Sequence, residues 1–412
     1  MQTNLIQSLR DTADGREADR ILRSCVHCGF CTATCPTYQL LGDELDGPRG
    51  RIYQIKNLLE GEAPTRQVQA HLDRCLTCLN CETTCPSGVD YHRLLDIGRE
   101  RVEQQVRRPL PERLLRWLLR QIVPYPRRFR PLLGLGLRLR PLLPSRVREK
   151  LPASSTSDPG RVGSCPHPRQ VILLENCVEP SLTPGVVTAT LRVLDALGIQ
   201  ALRPGGGCCG AVSQHLSAPE QARAFMRRNI DAWWPAIEAG AEAILITASG
   251  CGAMVKEYGW HLRDDPRYAA RAERVSALAC DLSELLSAKD LARLPNPVQR
   301  GVPARIAFHP PCTLQHGQRL MGRVEALLRG VGFELLPVAD SHSCCGSAGT
   351  YSILQPRLAG RLRRQRLDAL QQQGPALIAT ANVGCQTHLQ AGADVPVVHW
   401  IELFDPQRDA VR

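Results

Sequence analysis

The chain has 412 residues, 43% of them apolar and 22% charged, enough for two or three domains with cores of their own, which excludes a disordered tail and a disulfide-stapled miniprotein. Its net charge of +11 is carried entirely between Gln104 and Lys150, where thirteen Lys or Arg stand against Glu112 and Glu149. The remainder sums to zero, which excludes the general basic bias of a nucleic-acid-binding protein.

Residues 1–103 begin with MQTNLIQSLRDTADG, which has no basic-then-apolar leader, so the eighteen cysteines of the chain are expected in a reducing cytoplasm. Short helices are expected around two cysteine runs, with a turn at Gly47–Pro48 and then an amphipathic helix that stops at Gly61. CVHCGFCTATC, Cys25–Cys35 before Pro36, returns as CLTCLNCETTC, Cys75–Cys85 before Pro86. C-x2-C-x2-C-x3-C-P is the spacing that wraps a [4Fe–4S] cubane, and where it occurs twice the fourth cysteine of each run ligates the other cluster. On that rule Cys25, Cys28, Cys31 and Cys85 hold one cluster, and Cys75, Cys78, Cys81 and Cys35 hold the second. Zinc would favour two separated C-x2-C pairs and gives no reason for the third cysteine or the proline. His27, inside the first run, reads as a neighbour that tunes potential through a hydrogen bond.

Residues 104–168 are a basic amphipathic segment and linker. PERLLRWLLRQIV places Leu114, Leu115, Leu118, Leu119 and Ile122 at helical spacing with arginines between them, after which Pro and Gly are expected to break the pattern up to the linker PASSTSDPG. The segment is either a solvated arginine-rich linker or a peripheral contact with an anionic membrane surface. No window of the chain approaches the roughly eighteen uninterrupted apolar residues of a membrane-spanning helix.

From Arg169 onward the chain repeats itself, 169–300 over 301–412: VILLENCVEP matches RIAFHPPCTL, GGGCCGAVSQH matches SHSCCGSAGTY, AILITASGCGAM matches ALIATANVGCQT, and DLSELL matches WIELF. Each half opens on a β-type run, passes through a helical pattern, and places its last cysteine just after another β-type run, Ala243–Thr247 or Ala376–Thr380. Two α/β units related by a pseudo-twofold are expected, so the fold class is α+β multidomain with an N-terminal α-helical ferredoxin-like domain. Each half carries four cysteines, Cys177, Cys208, Cys209 and Cys251, then Cys312, Cys344, Cys345 and Cys385, leaving only Cys165 and Cys280 outside a motif. Adjacent Cys–Cys–Gly puts two sulfurs on one tight turn, a grip for a further iron–sulfur cluster or for zinc. His309, His316, His342 and His388 give the second half more polar company, so it is read as the working site and the first as structural, with no ligation assigned to these histidines. RPGGGCCG does not fit a dinucleotide-binding fingerprint, and no catalytic residue is assigned.

The doubled run followed by two CCG units resembles the iron–sulfur subunit of bacterial glycolate oxidase (glycolate dehydrogenase), within the CCG-domain family that includes heterodisulfide reductase subunits and the iron–sulfur subunit of anaerobic glycerol-3-phosphate dehydrogenase. CVHCGFCTATCPTYQLLGDELDGPRGRIYQIK and NVGCQTHLQ carry the resemblance to the glycolate enzyme. It implies an oxidoreductase subunit acting on CH–OH donors with an acceptor other than NAD. Partner subunits that bind FAD would oxidise glycolate to glyoxylate, and this chain would pass electrons toward the quinone pool at the inner membrane. Hydride acceptance is a flavin task and clusters move single electrons, which fits that division. The motif often closes with C-x-x-G, whereas this chain has Cys251-Gly-Ala-Met and Cys385-Gln-Thr-His, so non-cubane clusters there are not carried over. The alternatives are a self-contained disulfide or quinone reductase, and the iron–sulfur subunit of a related glycerol-3-phosphate or lactate dehydrogenase.

Overall fold

A computed structural model of the chain describes residues 1–142 and 165–407. The expected linker PASSTSDPG and the basic residues Arg146, Arg148 and Lys150 lie outside the described residues.

The N-terminal domain is built from α1 (Ala13–Ser24), α2 (Pro48–Leu59), α3 (Arg66–Asp73) and α4 (Tyr91–Gln105). Thr12 caps α1 by accepting from the Gly15 amide, and Pro48 opens α2, where its missing N–H costs nothing. Ile21, Leu22, Ile55, Leu59, Leu72, Leu94 and Leu95 face inward at helical spacing and are at most 1% exposed. Gly98 lets α4 close on α2: a Cβ there would stand 2.7 Å from Ile55 Cγ1. Cys25 and Cys81 belong to the same core, so the cysteine loops are fixed by apolar packing.

Residues 104–142 form a helical hairpin, α5 (Leu110–Ile122) and α6 (Pro126–Arg138). The expected break falls once, at Val123–Tyr125 around Pro124, and is not repeated as expected: Pro126 occupies the first turn of α6, where proline is tolerated, and the helix continues through Pro131 and Gly134. The orientation of α5 is also inverted relative to an ordinary surface helix. Its charged face is held inward, where Arg116 meets Asp73 at 3.1 Å beside Arg108, which contacts Asp73, Glu103 and Glu112 at 2.6 Å each. Leu114, Trp117 and, on α6, Leu135 point outward with 56%, 49% and 53% of their surface exposed.

The C-terminal part is two units with one topology. The first has β1 (Arg169–Leu173), α7 (Pro184–Ala196), β2 (Ile199–Leu202), α8 (Pro219–Glu238), β3 (Ala243–Ile246), α9 (Ser249–Lys256) and β4 (Ala279–Asp281). The second has β5 (Arg305–His309), α10 (Arg323–Gly330), β6 (Glu334–Leu335), α11 (Pro356–Gln371), β7 (Ile378–Thr380), α12 (Val383–Gln390) and β8 (Val397–His399). Both sheets are parallel, in the orders β2-β1-β3-β4 and β6-β5-β7-β8. The predicted repeat extends to the end of each unit: Asp281 with Glu284 and His399 with Glu402 each build a reciprocal N-terminal cap. One apolar core runs through both units, joining Val171, Leu194 and Leu245 to Ile306, Leu328 and Phe404. His399 contacts the Thr247 carbonyl at 3.1 Å and Ser249 meets Thr313 at 2.7 Å, so the carboxyl ends of the two sheets meet. In open parallel sheets that is where ligands are held, and all eight CCG cysteines lie there.

Candidate metal centres

Both ferredoxin loops use one backbone device. His27 and Gly29 in the first run, and Thr77 and Leu79 in the second, have φ of 61°, 86°, 54° and 62°. Two left-handed residues in each loop turn it around the space that its sulfurs face, at a cost that only Gly29 escapes. The thiols influence one another across the two runs. Burial pushes the Cys31 thiol up to about 11, with Cys25, Cys85 and Cys28 adding to it; burial also raises Cys25, again with Cys85 and Cys28 nearby. Cys81 is raised well above the usual thiol range by burial, then by Cys78, Cys75 and Cys35. Cys25, Cys28, Cys31 and Cys85, together with Cys81, line a cavity of about 30 Å³. Buried thiols whose proton is so firmly held become ligands only where a metal displaces it.

The two groups differ in surroundings. Cys28 is exposed between Val26 and Phe30, which are 68% and 63% exposed. Cys78 and Cys81 are buried, and Cys78 shares an apolar cluster with Leu76, Cys312, Cys344 and Tyr351. Burial raises Cys78, and the next cause is Cys312 of the second CCG unit. Polar contacts fix that junction: Tyr351 Oη donates to the Arg74 carbonyl at 3.2 Å, Asn80 Nδ2 donates to the His342 carbonyl at 3.4 Å, and Thr83 meets His316 Nδ1 at 2.8 Å.

Within each CCG unit the four cysteines converge. In the first, Cys208 is held well below the usual thiol range because Cys177, then Cys209, donate to it, while Cys177 and Cys209 are raised; Cys209 also leans on Cys251. In the second, Cys312 and Cys344 sulfurs are 3.8 Å apart and Cys345 and Cys385 sulfurs 3.3 Å. The glycine of each motif has a specific task. Gly210 and Gly346, at φ of 97° and 89°, donate their N–H to the sulfurs of Cys208 and Cys344, and a Cβ on them would stand 3.1 and 2.7 Å from the carbonyl oxygens of Ala222 and Ala359. Cys165, exposed beside Asp195, and Cys280, on β4, join neither group. His316 is hydrogen-bonded as above, and His388 meets the Ala359 carbonyl at 3.4 Å. His309 differs: one ring nitrogen lies within 4.8 Å of the sulfurs of Cys345 and Cys385, its Nδ1 accepts from Arg366 Nε at 3.0 Å, and its Nε2 is buried with no partner. Arg366 is the residue sequence reading missed; laying the two halves over one another, where it replaces Asn229, is the signal that finds it. Four convergent sets of soft donors, with an orphaned buried nitrogen in the last, fit sulfur-ligated metal centres.

A two-run ferredoxin domain set against twin cysteine-rich α/β units is the architecture of an iron–sulfur electron carrier. Residues 21–89 match the 4Fe–4S dicluster domain family, and residues 171–256 and 306–390 each match the cysteine-rich CCG domain family. The chain is 59% identical to the glycolate oxidase iron–sulfur subunit of Escherichia coli over 98% of both chains. It is 29% identical to a probable glycolate oxidase iron–sulfur subunit of Bacillus subtilis over 90% of this chain and 89% of that one, and 28% identical to lactate utilization protein A of an Exiguobacterium species over 57% of this chain and 96% of that one. The chain belongs to the glycolate oxidase iron–sulfur subunit family, and it carries two [4Fe–4S] clusters. No described helix is long and apolar enough to cross a membrane.

Proposed function

We propose that this chain carries electrons in a glycolate oxidase complex, taking them singly from FAD-bearing partner subunits that oxidise glycolate to glyoxylate and delivering them toward quinone. The reading rests on one observation above all: the buried ferredoxin-type group meets the second CCG unit at Cys78, Cys312 and Cys344. Cys25, Cys28, Cys31 and Cys85 are the ligands of an outer cluster, with Cys28 between exposed Val26 and Phe30 as the side open to a partner. Cys75, Cys78, Cys81 and Cys35 are the ligands of an inner cluster. Cys312, Cys344, Cys345 and Cys385 hold the centre that follows it, and Cys177, Cys208, Cys209 and Cys251 hold a structural one. When bound, these centres supply reversible one-electron storage; the chain's own residues exclude water from the inner sites and fix their spacing.

The inverted hairpin supports peripheral contact with the inner membrane. Its apolar face is turned out next to exposed Arg127, Arg128 and Arg130, the composition of a helix that lies in an anionic headgroup layer. The test of the division between the CCG units is a pair of variants. Cys344→Ser is expected to leave soluble, assembled complex with glycolate-linked turnover reduced at least tenfold, and Cys208→Ser to lower folded yield. Equal loss of soluble protein in both would remove the distinction.

A further inference from the structure

The two CCG units differ behind their thiols. Strand register places Leu173 opposite Leu245 and Phe308 opposite Ala379, each partner six residues before the last cysteine of its unit, so Leu174 of the first unit corresponds to His309 of the second. The matched approach of Gly210 to Ala222 and of Gly346 to Ala359 aligns α8 with α11, so Asn229 corresponds to Arg366. In the first unit these places hold an apolar side chain and a neutral amide, with Asn229 Nδ2 donating to the Cys208 carbonyl at 3.0 Å. In the second they hold a buried base and a buried cation.

The geometry fixes what each can do. A guanidinium only donates, so the nitrogen it meets, His309 Nδ1 at 3.0 Å, is the one with the lone pair, and the ring proton sits on Nε2. That nitrogen is therefore a donor and not a metal ligand. It is buried and without a partner, on a ring one of whose nitrogens lies within 4.8 Å of the sulfurs of Cys345 and Cys385. Arg366 Nη1 donates to the carbonyl oxygens of Ala339 and Asp340 at 3.0 and 2.9 Å, and among the described residues no carboxylate forms an ion pair with it. The Asp340 carboxylate attracts this cation without forming an ion pair, and Arg366 Nη2 is buried with no partner. An unmet buried N–H and a buried cation only partly compensated are both unfavourable, and a negatively charged thiolate-bound centre answers both.

We propose that His309 and Arg366 form a relay that raises the reduction potential of the centre held by Cys312, Cys344, Cys345 and Cys385 above that of its counterpart in the first unit, making it the downhill acceptor of the inner ferredoxin cluster. A positive charge and a hydrogen bond to sulfur both favour the more negative, reduced form. With both centres bound, Cys75, Cys78, Cys81 and Cys35 would hold the donor and Cys312, Cys344, Cys345 and Cys385 the acceptor of one electron, with no bond formed or broken and the electron leaving toward the quinone-type acceptor. The inference rests on the proposed redox role of the second unit.

The test is an electron paramagnetic resonance redox titration of the purified complex, with iron and zinc quantified in each sample. His309→Leu and Arg366→Asn, which install the residues of the first unit, are expected to lower the reduced-to-oxidised ratio of one centre about tenfold at fixed potential, equivalent to about 59 mV for one electron. Iron content and the other signals should match the parent, and His309→Gln and Arg366→Lys, which keep a donor or the charge, should recover most of the shift. Unchanged potentials at full iron content would overturn the relay, as would a shift equally large in the conservative variants or loss of iron in all four. If His309→Leu does not fold, the two arginine variants decide alone. Cys344→Ser separates the two levels of the argument: if it removes no paramagnetic centre, or if the parent holds zinc there, the redox role of the unit falls; if it removes one whose potential ignores His309 and Arg366, only the relay falls.

Discussion

We group the eight ferredoxin thiols across the two runs and not by order along the chain. Cys35, at the start of the helix Pro36–Leu41, is among the thiols that raise Cys78 and Cys81, which is why we assign it with Cys75, Cys78 and Cys81. Cys35→Ala should therefore damage the same paramagnetic centre as Cys78→Ala and leave intact the one that Cys28→Ala removes. Spectra in which Cys35→Ala and Cys28→Ala share a lesion would refute the interleaved assignment. The eight positions stand out in the sequence by spacing alone, because in such runs the spacing is the chemistry. His309 was visible as a residue but not as a partner of Arg366: 57 positions separate them, and only the pairing of β5 with α11 brings them together.

Among elements, the join between α4 and the first CCG unit is electrostatic. His92 contacts Glu82 at 2.8 Å and Glu257 at 3.8 Å, and Arg93 reaches Glu257 at 3.3 Å. Burial alone would lower His92, but Glu257 and Glu82 outweigh it and raise the imidazolium to about 10. A folded value above the ordinary 6.5 means that this stabilisation is complete below about pH 6.5 and is lost as pH rises toward 10. Denaturant titrations from pH 6.5 to 10 should show a fall that His92→Gln flattens, by on the order of 2 kcal/mol after allowance for screening. The same slope in both proteins would place the pH dependence elsewhere. The hairpin of α5 and α6 makes a different prediction. Sedimentation with anionic vesicles should weaken sharply as salt rises, each arginine near the surface contributing about 1 kcal/mol, and changing Arg127, Arg128 and Arg130 to Gln should abolish most of it. Binding indifferent to salt or to these changes would mean that the outward leucines instead cover a partner subunit. The amphipathic period of α5 was readable from sequence; which face points inward was not, because Asp73, the residue that holds Arg108 and Arg116, lies on α3.

For the whole molecule, the doubled runs and the doubled CCG units told the architecture in advance, since each repeat is a supersecondary unit that sequence self-similarity exposes. What self-similarity could not tell was asymmetry between the copies. The inner ferredoxin group packs on the second unit, through Cys78, Tyr351, His316 and His342, and the helical hairpin leans on the first, where Tyr125 joins Cys177, Cys208 and Phe225. Two units of one topology thereby acquire different surroundings, the second against the group of Cys78 and the first against the hairpin. The central claim is that this chain moves electrons which a partner has taken from substrate. Its most direct test is the paramagnetic resonance spectrum after anaerobic addition of glycolate to the chain alone and to the chain assembled with its FAD-bearing partners. The account predicts cluster signals from the assembled complex only, with dithionite eliciting the same signals from the isolated chain. Signals evoked by glycolate in the isolated chain, or none from either sample under dithionite, would contradict it.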